Sequence, residues 1–178
     1  MMLTRRRLAA LAAATPFAAH AQPAGWDGIA ARARGQAVAF HAWAGDERTN
    51  AFIAWTAERV QTLHGITLRH VRLRDTGEAV ARVVAERAAG RDTGGAVDLV
   101  WINGPNFLAL KQQGFLMRFA EGLPSFALVD TAGKPATVTD FTVPVEGFAA
   151  PWRMAQIVFL HDGARQPSPP RTMRAMAG

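Results

Sequence analysis

The fold of this chain is decided by residues 98–116, which read DLVWINGPNFLALKQQGFL. An apolar run stops at Asn-Gly-Pro-Asn, residues 103–106, and a helical pattern follows it as far as Gly114. The run predicts a buried strand over residues 97–102, and the pattern predicts a helix with Pro105 at its first position and Gly114 at its C-terminal cap. A strand that leads directly into a helix is the repeating unit of α/β folds.

Two earlier segments show the same order of strand and helix. Residues 37–43 and 66–73 are predicted to be strands, and each is followed by an acidic residue suited to cap a helix, Asp46 and Asp75. Asp75 also has the spacing of a capping box with Glu78. The sequence therefore predicts an α/β fold with a mostly parallel sheet flanked by helices and joined by right-handed crossovers.

Each of these two helices is expected to bury one apolar face and to end at a glycine. The predicted faces are Phe52, Trp55, Val60 and Leu63 in the first helix, which Gly65 ends, and Val80, Val83 and Val84 in the second, which Gly90 follows.

The turns that follow parallel strands all open on one edge of the sheet, where open α/β sheets bind ligands. We therefore expect the three turns, at residues 43–46, 75–77 and 103–106, to form one rim, and Trp152 is a further candidate for stacking on a ligand. The candidate ligand-binding residues are Trp43, Gly45, Asp46, Asp75, Thr76, Asn103, Gly104, Asn106 and Trp152.

These residues have structural alternatives. At the helix start, Asn103 and Gly104 could offer amides to an anionic group of a solute, or they could merely cap the helix. Asp46 and Asp75 could contact a cationic solute or could also be caps, and the two tryptophans could stack on a ligand or fill the core. A rim of this composition suits sugars, oxyanions, thiamine-like compounds and peptides alike.

The N-terminus has the pattern of an export signal. Three arginines at residues 5–7 precede a short apolar stretch, and Ala-His-Ala at residues 19–21 suits a cleavage site. Residues 4–8, TRRRL, also suit the twin-arginine route, with general secretion as the alternative. The protein is therefore predicted to be periplasmic.

Composition narrows the possible functions further. Removal of residues 1–21 lowers the formal charge from +6 to +3, and the remaining arginines form no basic stripe, which argues against a nucleic-acid binder. The chain has no cysteine, its five histidines lack metal-ligand spacing, and no nucleotide-binding or nucleophile-elbow motif is present. We expect no metal, no cofactor and no enzyme activity, with an exported hydrolase of α/β fold as the alternative.

The segments WINGPNFLALKQQGFL and PWRMAQIVFLHD, residues 101–116 and 151–162, together with the export signal, resemble solute-binding proteins of ABC importers. The likeness is to the YnjB-like group, of the periplasmic-binding-protein type II kind. It implies a two-lobed protein that captures a small-molecule solute in the cleft between its lobes. The partner that the resemblance implies is an ABC transporter permease in the inner membrane, and the protein is expected to be a monomer.

The resemblance also implies a division of the chain into four parts. These are a signal peptide at residues 1–21, an N-terminal segment at 22–36, the first α/β lobe at 37–150, and a crossover strand with the start of a second lobe at 151–178. Loops and short strands are expected over residues 117–150, and the crossover strand at 157–160. Because an apolar helical pattern begins at residues 172–178 without continuing, we expect the chain to be truncated.

Overall fold

The computed structural model describes residues 25–153 and 160–177 of the chain. These residues form two compact units that divide between Ile102 and Asn103. The predicted signal peptide, residues 1–21, and most of the predicted crossover strand lie outside the described residues. The predicted lobe boundary at residue 150 stays a prediction.

The first unit contains a three-stranded parallel sheet with the strand order β2-β1-β3. Strand β1 pairs with β2 from Ala37 opposite Thr67 to Trp43 opposite Leu73, and with β3 through Phe40 opposite Leu99. The elements in chain order are α1 (Trp26–Ala33), β1 (Ala37–Trp43), α2 (Glu47–His64), β2 (Thr67–Leu73), α3 (Gly77–Ala88) and β3 (Leu99–Val100). The predicted parallel α/β sheet is confirmed.

Local signals in the sequence set the bounds of α2 and α3. Asp46 caps α2, and Gly65 ends it in the left-handed conformation at φ 66°. Glu78 Oε1 accepts a hydrogen bond from the Asp75 amide at 3.1 Å, which is one half of the predicted capping box. Gly90, at φ 72°, follows the end of α3 as predicted.

The buried face of α2 differs from the predicted one. Phe52, Trp55 and Leu63 are each more than half exposed, whereas the buried residues of α2 are Thr49, Asn50 and Ile53. The Phe52 and Trp55 rings stack on each other with centroids 5.7 Å apart. The prediction was wrong because apolar residues recur on two sides of this helix. Only the side that contains Thr49, Asn50 and Ile53 is buried.

Strand β3 is shorter than predicted, with two residues instead of the six of residues 97–102. The carboxylate of Asp98 accepts a hydrogen bond from the Ala39 amide at 2.8 Å. The Asp98 side chain thus accepts the hydrogen bond from the Ala39 amide. In a longer parallel ladder, a backbone carbonyl of β3 would accept that bond. Asp98 is therefore a structural residue of the sheet edge.

The second unit is built mainly of short elements around one helix. Phe107 and Leu110 of that helix are almost completely buried, together with Ala120 and Val145. The elements are α4 (Gly104–Gln112), 3-10 helices at Ala120–Gly122, Pro124–Leu128 and Pro135–Thr137, the antiparallel strands β4 (Thr139–Asp140) and β5 (Val143–Pro144), and α5 (Met173–Met176). Loops and short strands were predicted over residues 117–150 of this unit.

Helix α4 begins and ends close to where the sequence predicts. Pro105 is the second residue of the helix instead of the first. At the other end, the Gly114 amide donates to Lys111 O at 3.0 Å and the Phe115 amide donates to Leu110 O at 3.0 Å. This pair of bonds, with Gly114 at φ 68°, is the Schellman motif that a glycine in this position predicts.

Candidate functional site

Two tryptophans lie at the carboxyl edge of the parallel sheet. Trp43 is the last residue of β1, and Trp101 directly follows β3 and donates its amide to His41 O at 2.9 Å. Their rings meet edge to face, with centroids 6.3 Å apart and an interplanar angle of 73°. Trp43 is 40% exposed, so its indole is not part of the buried core, and its stacking on a ligand stays a prediction.

The Trp43 indole packs against Gly45, which lies in the turn that follows β1. A Cβ atom placed on Gly45 would overlap Cζ2 of Trp43, so the ring lies directly against the glycine backbone. Only glycine permits this approach without moving the ring. The role of the predicted site residue Gly45 is thus to let the indole fold over the turn.

Thr76 connects the turn after β2 to the end of β3. Its hydroxyl donates a hydrogen bond to the Trp101 carbonyl at 3.3 Å. The turn after β1 lies beside the end of β2, because the Ala44 amide donates to Leu73 O at 3.0 Å. The carboxyl ends of all three strands therefore come together around Trp43, Thr76 and Trp101.

The carboxylates of Asp46 and Asp75 serve as caps. Asp46 accepts from the amides of Arg48 and Thr49, at 3.3 and 3.2 Å, and from the Thr49 hydroxyl. Asp75 accepts from the Gly77 amide at 2.6 Å. The observed bonds of both residues are those of helix caps. Asp75 is exposed.

Asn103, Gly104 and Asn106 belong to the second unit, at the start of α4. Asn103 is the N-cap residue of α4 and its carbonyl accepts a hydrogen bond from the Phe107 amide at 3.5 Å, but its exposed side chain makes no capping bond. Instead, Asp140 Oδ2 accepts a hydrogen bond from the Gly104 amide at 2.5 Å. The Gly104 amide, which was a predicted contact for an anionic group of a solute, is thus already bound by the Asp140 carboxylate.

Asp140 reaches Gly104 from a tight hairpin between β4 and β5. The two residues at its tip, Phe141 and Thr142, have positive φ angles of 44° and 72°, which glycine or asparagine normally adopts. The Phe141 ring lies 3.7 Å from the position of a Cβ on Gly104 and is itself 75% exposed. No short-range motif in the sequence indicates this arrangement, because 36 residues separate Asp140 from Gly104.

The two remaining predicted site residues are Asn106 and Trp152. Asn106 is the third residue of α4 and is half-buried. Trp152 is 41% exposed in a segment without regular secondary structure. Both stay candidates on the sequence argument alone.

Two histidines of the first unit, His41 and His70, lie within strands β1 and β2. His70 Nε2 lies 3.3 Å from Ala42 O, and the His70 ring lies 6.4 Å from Phe40. His41 is buried in β1, and within the described residues its Nδ1 has no hydrogen-bond partner. No cluster of potential metal ligands occurs among residues 25–153 and 160–177. In those same ranges, none of the helices combines the length and the apolar character needed to cross a bilayer.

Comparison with known proteins identifies a similar protein in a bacterium. No family model matches the chain. The chain is similar to protein YnjB of Escherichia coli strain K12, with 42% identity over 152 residues. The aligned part covers 85% of this chain and 39% of YnjB, so the chain spans about two fifths of the length of this relative. The similarity to YnjB is extensive along the chain, and the name of YnjB describes no function.

Proposed function

We propose that this chain is the substrate-binding component of an ABC importer, an exported protein that captures a small solute and delivers it to a membrane permease. The observation that carries this proposal is the exposed indole of Trp43, which packs against the Gly45 backbone and the Trp101 ring at the carboxyl edge of a parallel sheet. Open α/β sheets bind ligands at this edge, and a rigid aromatic side chain there supplies contact area at little entropic cost.

Such a receptor requires no chemistry on its ligand. A solute that contacts both lobes of a two-lobed protein favours the closed arrangement, and the permease recognises that state. The first unit would contribute Trp43 and the adjoining turns to one side of the cleft. The carboxylates of Asp46, Asp75 and Glu78 at these turns already accept backbone hydrogen bonds, which suits binding better than acid–base catalysis.

The experiment that tests binding is mass spectrometry of small molecules that co-purify with the exported chain. We expect one solute to be released from the wild-type protein and to be lost from Trp43→Leu. The matched control is Trp55→Leu, because Trp55 is also exposed and lies on α2, away from the ends of the strands. Equal amounts of solute in all three proteins, or none in the wild type, would contradict the proposal.

A chromogenic panel of ester and phosphate substrates separates a receptor from the alternative hydrolase. A receptor is expected to leave every substrate unchanged. Turnover by the wild-type chain that disappears in Trp43→Leu would assign the same edge of the sheet to catalysis instead.

Export is tested by fractionating cells that express the chain. The wild-type protein is expected in the periplasm without residues 1–21. Replacement of Arg5 and Arg6 by lysine should retain it in the cytoplasm if the twin-arginine route is used, and should leave export unchanged under general secretion. Recovery of the wild-type chain in the cytoplasm with residues 1–21 attached would contradict export.

A further inference from the structure

We infer that Asn103 is a site of spontaneous deamidation, and that the Asp140 carboxylate slows this modification by binding the Gly104 amide. In the reaction, the backbone nitrogen of Gly104 attacks the side-chain amide of Asn103, and residue 103 becomes an acid. The inference concerns the chemistry of the chain itself, so it goes beyond the proposed function and does not depend on which solute the protein binds.

Asn103 is the asparagine of this chain whose sequence context favours the attack. The chain has three asparagines, and Asn103 is the one that glycine follows. The other two, Asn50 and Asn106, precede alanine and phenylalanine. Because Gly104 has no side chain, nothing on its own Cα hinders the approach of its nitrogen to the amide. Asparagine is itself one of the thermolabile residues.

The Asn103 side chain also has the freedom to react. It is exposed and makes no capping bond at the start of α4. By contrast, Asn50 is 4% exposed, and its Nδ2 donates to Ala44 O at 3.0 Å. An exposed side chain without a capping bond can rotate until its amide carbon approaches the next backbone nitrogen. Asn103 therefore permits a rotation that the contacts of Asn50 oppose.

The attacking nitrogen is held by the folded protein. Gly104 is buried, and its amide donates to Asp140 Oδ2 at 2.5 Å. Asn103 is extended, at φ −158° and ψ 170°, so its Cα–C bond must rotate before the Gly104 nitrogen eclipses Cβ, as a five-membered ring requires. Since Gly104 is bound to Asp140, that rotation requires the start of α4 to open. Asp140 slows the reaction because it lowers the fraction of open molecules.

The reaction balances with water as its co-reactant. The Gly104 nitrogen loses its proton to solvent base and forms a bond to Cγ of Asn103, and Nδ2 takes up a proton and leaves as ammonia. Water then opens the cyclic imide. Opening at the side-chain carbonyl gives aspartate, and opening at the backbone carbonyl gives isoaspartate. Both products carry a carboxylate, so a candidate ligand-binding residue changes from neutral to negative.

The test follows the three asparagines of the folded chain at neutral pH by peptide mapping and mass spectrometry. We expect Asn103 to convert first and to give both aspartate and isoaspartate, while Asn50 and Asn106 stay amides. Three outcomes would overturn the inference: conversion of Asn50 or Asn106 before Asn103, conversion of Asn103 only in chains unfolded in guanidinium chloride, and aspartate as the sole product at residue 103.

Variants test the role of Asp140. Asp140→Ala should speed the conversion of Asn103 about fivefold, the change in local opening that the loss of one helix cap produces. Asp140→Asn keeps a neutral acceptor and should give a rate between those of the wild type and Asp140→Ala. The matched control is Asp130→Ala, because Asp130 binds another glycine amide of the second unit, that of Gly133 at 2.7 Å. It should leave the rate at Asn103 unchanged.

Circular dichroism separates local opening from unfolding in these variants. A folded Asp140→Ala protein that converts at the wild-type rate or more slowly would overturn the inference, as would an equal acceleration in Asp130→Ala. If Asp140→Ala does not fold, the folded Asp140→Asn protein decides the matter: faster conversion than in the wild type supports the role of Asp140, and an unchanged rate overturns it.

Discussion

Helices α2 and α4 both begin with an amide bound by an aspartate, but the two aspartates come from different places in the chain. Asp46 immediately precedes α2 and caps its own helix. Asp140 lies 36 residues beyond Gly104 and reaches the start of α4 from a hairpin. A sequence pattern detects the first arrangement and misses the second, although both satisfy the same need of a helix terminus for hydrogen-bond acceptors.

The largest effect is expected where α4 is anchored. Phe107 is 1% exposed, so Phe107→Ala should lower the free energy of unfolding by about 3–5 kcal/mol, as removal of a buried aromatic ring does. Urea unfolding followed by circular dichroism measures the loss. Leu128→Ala, at a side chain that is 87% exposed, is the control and should change stability by no more than about 0.5 kcal/mol. Similar losses in the two variants would show that α4 does not anchor the second unit.

Alanine variants of Gly104 and Gly65 compare how much a positive φ contributes to stability at the start of α4 and at the end of α2. Gly104 and Gly65 have φ angles of 56° and 66°, so replacement of either by alanine should cost about 1–2 kcal/mol in urea unfolding. Gly122→Ala is the control, because no atom lies within 4 Å of a Cβ there and its φ is not in the left-handed region. If Gly104→Ala cost no more than Gly122→Ala, the positive φ of Gly104 would not matter for stability.

The two caps themselves can be compared directly. Asp46→Ala and Asp140→Ala should each lower the free energy of unfolding by about 1 kcal/mol, because each leaves helix amides without their acceptor. Hydrogen exchange should then become faster at the Thr49 amide in the first variant and at the Gly104 amide in the second. Asp46→Asn is expected to retain most of the stability, since asparagine also caps helices well. An unchanged exchange rate at Gly104 in Asp140→Ala would mean that the remote cap contributes nothing.

The smallest effect is expected at an ion pair of the second unit. Lys111 Nζ lies 3.1 Å from Glu146 Oε2 and also donates to Pro144 O at 2.6 Å. Because Glu146 is more than half exposed, Glu146→Gln should cost only about 0.2–1 kcal/mol, and the loss should vanish at 1 M salt. Arg165, which pairs with Asp162 on an exposed segment, provides the control variant Arg165→Gln, with no measurable loss expected. A loss that persists at 1 M salt would have to come from contacts other than the charge pair.

The sequence predicted the parts of the fold that depend on neighbouring residues. The strands at residues 37–43 and 66–73, the Asp46 cap and the glycines that end α2, α3 and α4 all follow from periodicity and capping over a few residues. The buried face of α2 and the length of β3 were not predictable in this way. Both depend on which surfaces another element covers, and Asp98 replaces a ladder bond with a side-chain bond.

The candidate site divides in the same manner. The positions of Trp43 and Thr76 follow from their places after parallel strands, which the alternation of the sequence indicates. The pairing of Trp43 with Trp101 joins residues 58 positions apart, and the occupation of the Gly104 amide joins residues 36 positions apart. Such long-range pairs leave no local pattern.

The sequence by itself therefore determined the order of strands and helices from β1 to α4, the caps of α2 and α3 and the edge of the sheet at which the turns after β1 and β2 open. Hydrogen bonds over three or four residues and the alternation of side chains carry that information. Only the tertiary structure decided that Gly45 supports the Trp43 indole, that Trp101 lies against it, and that Asp140 fills the start of α4. Those contacts exist because folding brings distant residues within a few ångströms of one another.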